Sequence, residues 1–210
     1  MAPSTRTGRK RSRVKKALRR ETLETRRRLV LEEVSPLFES EGFAALKMQK
    51  IAERLGISVG ALYKLFDSKE ALYYAYIEFQ IRRFHEALRR ACEGIDDPEA
   101  CLRRFVRMKF DIFQSKRKAI EDPVVGDPLF FLKMNAHRSD PARPIFEFLA
   151  RLFARLRRQT PLKESDDLKT AYIFNAYTTG YVEYWFHYPD GFDDSEAEVL
   201  RRFLAGMAGG

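Results

Sequence analysis

Apolar residues recur at three- and four-residue intervals along most of the chain, and no stretch alternates strictly between apolar and polar positions between turns. That spacing is the mark of amphipathic helices rather than half-buried strands, so an all-α fold of about nine helices is expected. The first helix should run from about Thr22 to Glu41, with Val30, Val34, Leu37 and Phe38 on one face and Gly42 as its stop. Pro36 lies inside it and, lacking a backbone donor, should kink it near Glu32. A second helix takes Met48 to Leu55, with Met48, Ile51, Ala52 and Leu55 on one stripe. Gly56 suits the left-handed position after it, and Ser58 can cap a third helix, Val59 to Leu65. Asp67 and Glu70, three apart, resemble a capping box that opens a long helix from about Ser68 to Ala91. Later helices are expected at about Glu99 to Ser115, Pro144 to Gln159, Asp166 to His187 and Asp194 to Met207. Between Glu121 and Pro144, prolines and Gly126 flank a short apolar piece, Leu129 to Ala136, giving a broken region that is either a lid or an ordinary connection.

The corner Gly56-Ile57-Ser58 joins two short helices as a helix-turn-helix does, where a turn of three or four residues sets a steep crossing. Ile57 should plug the angle, and Leu62 and Phe66 should hold the third helix against the first. Packing that face leaves Ser58, Val59, Gly60, Tyr63 and Lys64 outward, where a major groove can receive them. Gly60 inside a helix costs about 1 kcal/mol relative to alanine, which close approach of another backbone would explain. Tyr63 and Lys64 offer a hydroxyl and a cation to phosphate oxygens. The plainer reading is a corner of any helical domain with Tyr63 and Lys64 as surface residues.

Charge sharpens this picture. The net charge of the 210-residue chain is +9, yet residues 1–20 alone hold nine basic side chains and no acid, so the rest balances. The basic residues form an arm, read either as a solvated tail or as a footprint for phosphate. The chain thus divides into an arm (1–20), a helix-turn-helix head (21–70) and a larger helical body (71–210). No apolar segment follows the N-terminal charges and none approaches the ~20 residues that span a bilayer, so a cytoplasmic protein is expected. Cys92 and Cys101 lack metal-ligand spacing and read as reduced packing residues. His85, His137 and His187 are dispersed, and no phosphate-binding glycine loop or nucleophile motif accompanies them, so neither an enzyme, a metal nor a cofactor is indicated.

The run FESEGFAALKMQKIAERLGISVGALYKLFDSKEAL, residues 38–72, resembles the head of the tetracycline-repressor (TetR) family of bacterial transcription regulators. The likeness extends over about residues 25–75 and rests on Phe38, Gly42-Phe43, Ile51-Ala52, Gly56, Gly60-Ala61-Leu62-Tyr63, Phe66 and Ser68-Lys69-Glu70. It implies a homodimer that binds double-stranded operator DNA through its heads and is released by a small molecule held in the body. The DNA-contacting candidates are then Lys47, Gln49, Ser58, Val59, Gly60, Tyr63, Lys64 and Lys69, with Arg9, Lys10, Arg11 and Arg13 of the arm following the minor groove or extending the first helix. This head departs from the family at Leu46-Lys47, where Thr or Ser is usual, and at Pro36, Val59 and Leu65. Val59 favours apolar contact with a thymine methyl.

The body carries no motif of comparable specificity. Phe110, Phe113, Phe130, Phe131, Met134, Phe146, Phe174, Tyr177 and Tyr181 can surround an apolar cavity for a small hydrophobic or aromatic effector, with Gln114, Asn135, His137 and Asn175 as polar orienters. Each is equally readable as plain core. For the dimer seam, the last two helices offer Ile173, Ala176, Gly180 and Tyr184, and Val199, Leu200, Phe203, Leu204 and Met207. A DNA-binding architectural protein without any effector is the rival reading; it explains the arm and head but leaves the aromatic body unused.

Overall fold

A computed structural model describes residues 23–115, 140–160, 162–188 and 194–208, the side chain of Phe186 excepted. The arm and the piece Leu129–Ala136 lie outside the described residues. Among the described residues there are eight helices: α1 (Leu23–Ala45), α2 (Met48–Leu55), α3 (Val59–Tyr63), α4 (Lys69–Ala91), α5 (Pro98–Ser115), α6 (Arg143–Arg157), α7 (Asp167–His187) and α8 (Glu196–Met207). The fold is all-α, as the periodicity predicts, and none of these helices is long and apolar enough to cross a membrane.

The described residues pack as two units, one within 23–80 and the other within 81–115 and 140–208; α4 contributes to both. In the head unit, Val30, Val34 and Phe38 of α1 close on Ile51, Ala52 and Leu55 of α2, on Leu62 and Phe66, and on Leu72, Tyr73 and Tyr76 of α4. Phe38, Tyr73 and Tyr76 form a triangle of rings, Phe38 lying 5.0 and 4.9 Å from the two tyrosines and these 5.8 Å from each other. In the other unit, α6 and α7 share the largest helix–helix contact, and α5 and α8 complete a core in which Phe174 is the hub. Its ring lies 4.8 Å from Phe203, 5.5 Å from Phe153 and 5.7 Å from Phe105.

The first helix breaks at Gly42, as expected: Gly42 alone leaves helical geometry, at φ 75° and ψ 170°, and lets Phe43 fold back into the core. Helical backbone continues through Pro36, where the hydroxyl of Ser35 donates to Leu31 O at 2.6 Å and that of Ser40 donates to Pro36 O at 2.8 Å. One local expectation is corrected. The start of α4 is capped by Ser68 rather than Asp67, since Ser68 Oγ accepts from Ala71 N at 3.0 Å. The Glu70 carboxylate instead turns to its own backbone N–H and to the Ser68 hydroxyl, which hold its pKa below the usual range.

Candidate nucleic-acid interface

The corner between α2 and α3 is built from the backbone outward. Gly56 sits at φ 68°, and the donations Gly56 N to Glu53 O (3.0 Å) and Ile57 N to Ala52 O (3.1 Å) complete a Schellman stop. Ile57 follows and packs against the head core. Ser58 Oγ then accepts from Ala61 N at 3.1 Å and starts α3. Thus α2 ends and α3 begins within three residues, as the small-residue corner requires. At the other end of α3, Arg27 Nε donates to Leu65 O at 2.8 Å while its guanidinium lies 5.1 Å from the Phe66 ring centroid. Arg27 therefore ties α1 to the exit of α3, a role its place in a run of arginines conceals.

With Leu62 and Phe66 fully buried, the opposite face of α3 is bare: Ser58, Gly60, Tyr63 and Lys64 are exposed, Tyr63 to 46%. Val59 is half-buried against the head core. Among the described residues, nothing outside its own helix turn lies within 4 Å of where a Gly60 Cβ would stand, so packing there gives no reason for a glycine. Lys47 and Gln49 at the start of α2 are exposed as well, and Lys47 occupies the cap position without a side-chain cap bond.

Lys69 Nζ donates to Phe43 O at 3.0 Å and Leu46 O at 3.1 Å, and lies 4.0 Å from the Phe43 ring centroid. Its ammonium holds the chain after Gly42 to the start of α4. Arg9, Lys10, Arg11 and Arg13 fall outside the described residues.

The body sorts its candidates differently. Phe174 is core, because three phenylalanine rings enclose it. Phe110 and Phe146 are buried, the latter stacked on half-exposed Tyr172 at 3.8 Å; Phe113 is half-buried. Tyr177 and Tyr181 hydrogen-bond through their hydroxyls at 3.2 Å, and burial with that bond pushes Tyr177 up to about 12. Phe130, Phe131, Met134, Asn135 and His137 lie outside the described residues. Of the seam candidates, Val199, Leu200 and Phe203 are corrected to core, since they are buried within their own chain, and Leu204 and Met207 lean on the same cluster. Ile173, Ala176, Gly180 and Tyr184 stay exposed, Ile173 to 39% and Tyr184 to 53%. Their separations of three, four and four residues set them on one face of α7.

One group escaped the sequence reading altogether. Lys109 of α5 is buried, and its Nζ donates to Asn175 O (2.9 Å), Asn175 Oδ1 (3.1 Å), Thr178 Oγ1 (2.9 Å) and Thr179 Oγ1 (2.7 Å) on α7. Burial lowers its pKa to about 7. A signal for it existed: Leu102, Phe105, Val106, Lys109 and Phe113 share one helical stripe, so the lysine stands where an apolar residue is due.

A family model described as bacterial regulatory proteins, tetR family, matches residues 35–76, which span the corner and its flanking helices. Among curated proteins, the transcriptional activator FasR of Mycolicibacterium smegmatis is 28% identical over 130 residues, 60% of this chain and 59% of its own, so that alignment spans less than two thirds of the relative's length. The transcriptional regulator TtgR of Pseudomonas putida is 28% identical over 182 residues, covering 82% of this chain and 85% of that protein. Among solved structures, the transcriptional regulator FadR from Bacillus subtilis, in complex with stearoyl-CoA, matches with a TM-score of 0.66 at 14% identity, over 85% of this chain and 97% of that one. At that identity the likeness speaks for the fold alone.

Proposed function

We propose that the chain, which belongs to the TetR family of DNA-binding transcriptional regulators, is a homodimeric repressor released from its operator by a small hydrophobic or aromatic effector. The observation that carries the reading is the two-sided α3: one face locked into the head by Leu62 and Phe66, the other bare at Ser58, Gly60, Tyr63 and Lys64. A five-residue helix that follows a three-residue corner, with its outer face bare, fits a major groove. The open space at Gly60 lets the DNA backbone come close, and Lys47, Gln49 and Lys64 supply polar and cationic contacts at the edges. Lys47, Tyr63 and Lys64 position the head on phosphates, while Ser58 and Val59 face base edges.

One head covers too few base pairs for useful selectivity, so two are needed on half-sites about 34 Å apart or a multiple of that. The exposed face Ile173, Ala176, Gly180 and Tyr184 supports pairing through α7, because small residues there allow a close helix approach. The effector shifts the body between two arrangements, and it does so only through its difference in affinity for them. Because α4 contributes residues to both packed units, it is the element through which such a shift reaches the head. FadR of Bacillus subtilis was solved with stearoyl-CoA, which favours an effector-gated regulator over an architectural DNA binder for this fold.

The test is operator selection from random duplexes followed by sedimentation of the complex. Two protomers per selected site are expected, with the site an inverted repeat. Replacing Gly180→Glu, at a position with open space in the protomer, should leave the fold intact, yield monomers and weaken operator binding at least tenfold. A monomeric wild type that binds with full selectivity contradicts the dimer.

A further inference from the structure

Among the described residues, Lys109 is a cation with hydrogen bonds but no counter-charge. Its three protons are shared by four oxygens, all neutral: a carbonyl, an amide and two threonine hydroxyls, all within residues 175–179 of α7. On its own helix the Phe105 ring centroid lies 5.8 Å from the ammonium. The helices α6 and α8, which also pack on α5, give the ammonium neither a hydrogen bond nor an ion pair. A buried charge is ordinarily paired or neutralised, because neutral dipoles satisfy its hydrogen bonds and not its charge. The shell has a wet side: Thr179 is exposed and Asn175 half-buried, and the neighbouring positions along α5 and α7 include half-buried Phe113 and exposed Tyr172.

We propose that the effector carries an anionic group, a carboxylate or an equivalent oxyanion, and that Lys109 receives it. The proposal rests on the effector-gated reading above and names the chemistry of that same site. An incoming carboxylate oxygen replaces Thr179 Oγ1, the exposed member of the shell, and supplies the missing negative charge while the aromatic side chains hold the apolar remainder. Because burial brings the amine toward neutrality, capture of the anion near pH 8 draws a proton from solution and converts a weak buried acceptor into a buried ion pair. Asn175, Thr178 and Thr179 do not titrate in this range, so the proton belongs to Lys109.

The experiment compares 2-naphthoate with 2-naphthylmethanol, aromatic probes alike except in charge, by calorimetry on the full chain. Binding of naphthoate at least tenfold tighter than the alcohol at pH 6.5 is expected, with proton uptake at pH 8 seen in buffers of different ionisation enthalpy. In Lys109→Met the preference and the uptake vanish, the alcohol's affinity is kept, and the melting temperature does not fall. Equal affinities, a preference that survives Lys109→Met, or binding of neither probe overturns the proposal. If the alcohol alone releases operator DNA, only the anion requirement falls; if neither probe, when bound, alters DNA binding, the effector reading falls with it.

Discussion

The head and the body hold their defining features at different ranges along the chain. In the head, each change of direction is enforced within a few residues: Gly42 at φ 75°, Gly56 at φ 68°, Ser58 on the N–H of Ala61, Ser68 on the N–H of Ala71. In the body, the feature with the greatest chemical consequence is a lysine bound to groups 66 to 70 positions away. Short-range geometry is written in residue order, whereas a long-range polar contact exists only once two helices have packed. The head can therefore carry one fixed task while the body varies around it.

The comparison is tested most severely at the two cores. Phe174→Ala removes the ring at the hub of the body and should destabilise that unit by about 3–5 kcal/mol. Hydrogen exchange should show protection lost in α5 to α8 and retained in α1 to α3; parallel loss in both would mean that the two units unfold as one.

Lys109→Met comes next. A base whose folded pKa lies at about 7, below its unfolded value of 10.5, leaves the unfolded chain binding the extra proton between those values. The native chain thus gains about 1.4 kcal/mol for each unit of pH from about 7 up to 10.5, and loses it as the pH falls back toward 7. Below about 7 the Lys109 contribution is flat. Urea titrations across this window should show the slope in the wild type and its absence in Lys109→Met; a slope shared by both places the titration elsewhere.

Smaller effects sharpen the local side. Gly56→Ala forces a Cβ into left-handed geometry and should cost about 1–2 kcal/mol, since φ 68° is a conformation that L side chains avoid. Ser58→Ala removes the cap on α3 and should cost about 1 kcal/mol. Both losses should appear as reduced protection in the corner, with α5 to α8 unaffected.

Much of the head was legible because its signals are local. The apolar stripe of Met48, Ile51, Ala52 and Leu55 fixed α2, and the Gly56-Ile57-Ser58 corner fixed where it stops and where α3 starts. Gly42 gave the break that ends the regular part of α1, while the Ser35 and Ser40 hydroxyls bond back along the helix on either side of Pro36. Asp67 and Ser68 are adjacent cap formers, and only packing selects Ser68. In the body, apolar stripes told that faces are buried and not against what, so Val199, Leu200 and Phe203 were assigned to a seam when they fill their own protomer. Lys109 was passed over because a lysine in a helix ordinarily reaches water, even from the edge of an apolar stripe.

The central claim is that the bare face of α3 grips DNA. Its direct test is the affinity of the double variant Tyr63→Ala/Lys64→Ala for a selected operator and for random duplex, measured by fluorescence anisotropy at one salt concentration. Both side chains are exposed, so the melting temperature should stay within a few degrees of wild type. A loss of affinity of at least about tenfold is predicted on operator and random duplex alike, because contacts to phosphate weaken binding about equally across sequences when removed. Full affinity with undiminished selectivity in the double variant would contradict the claim.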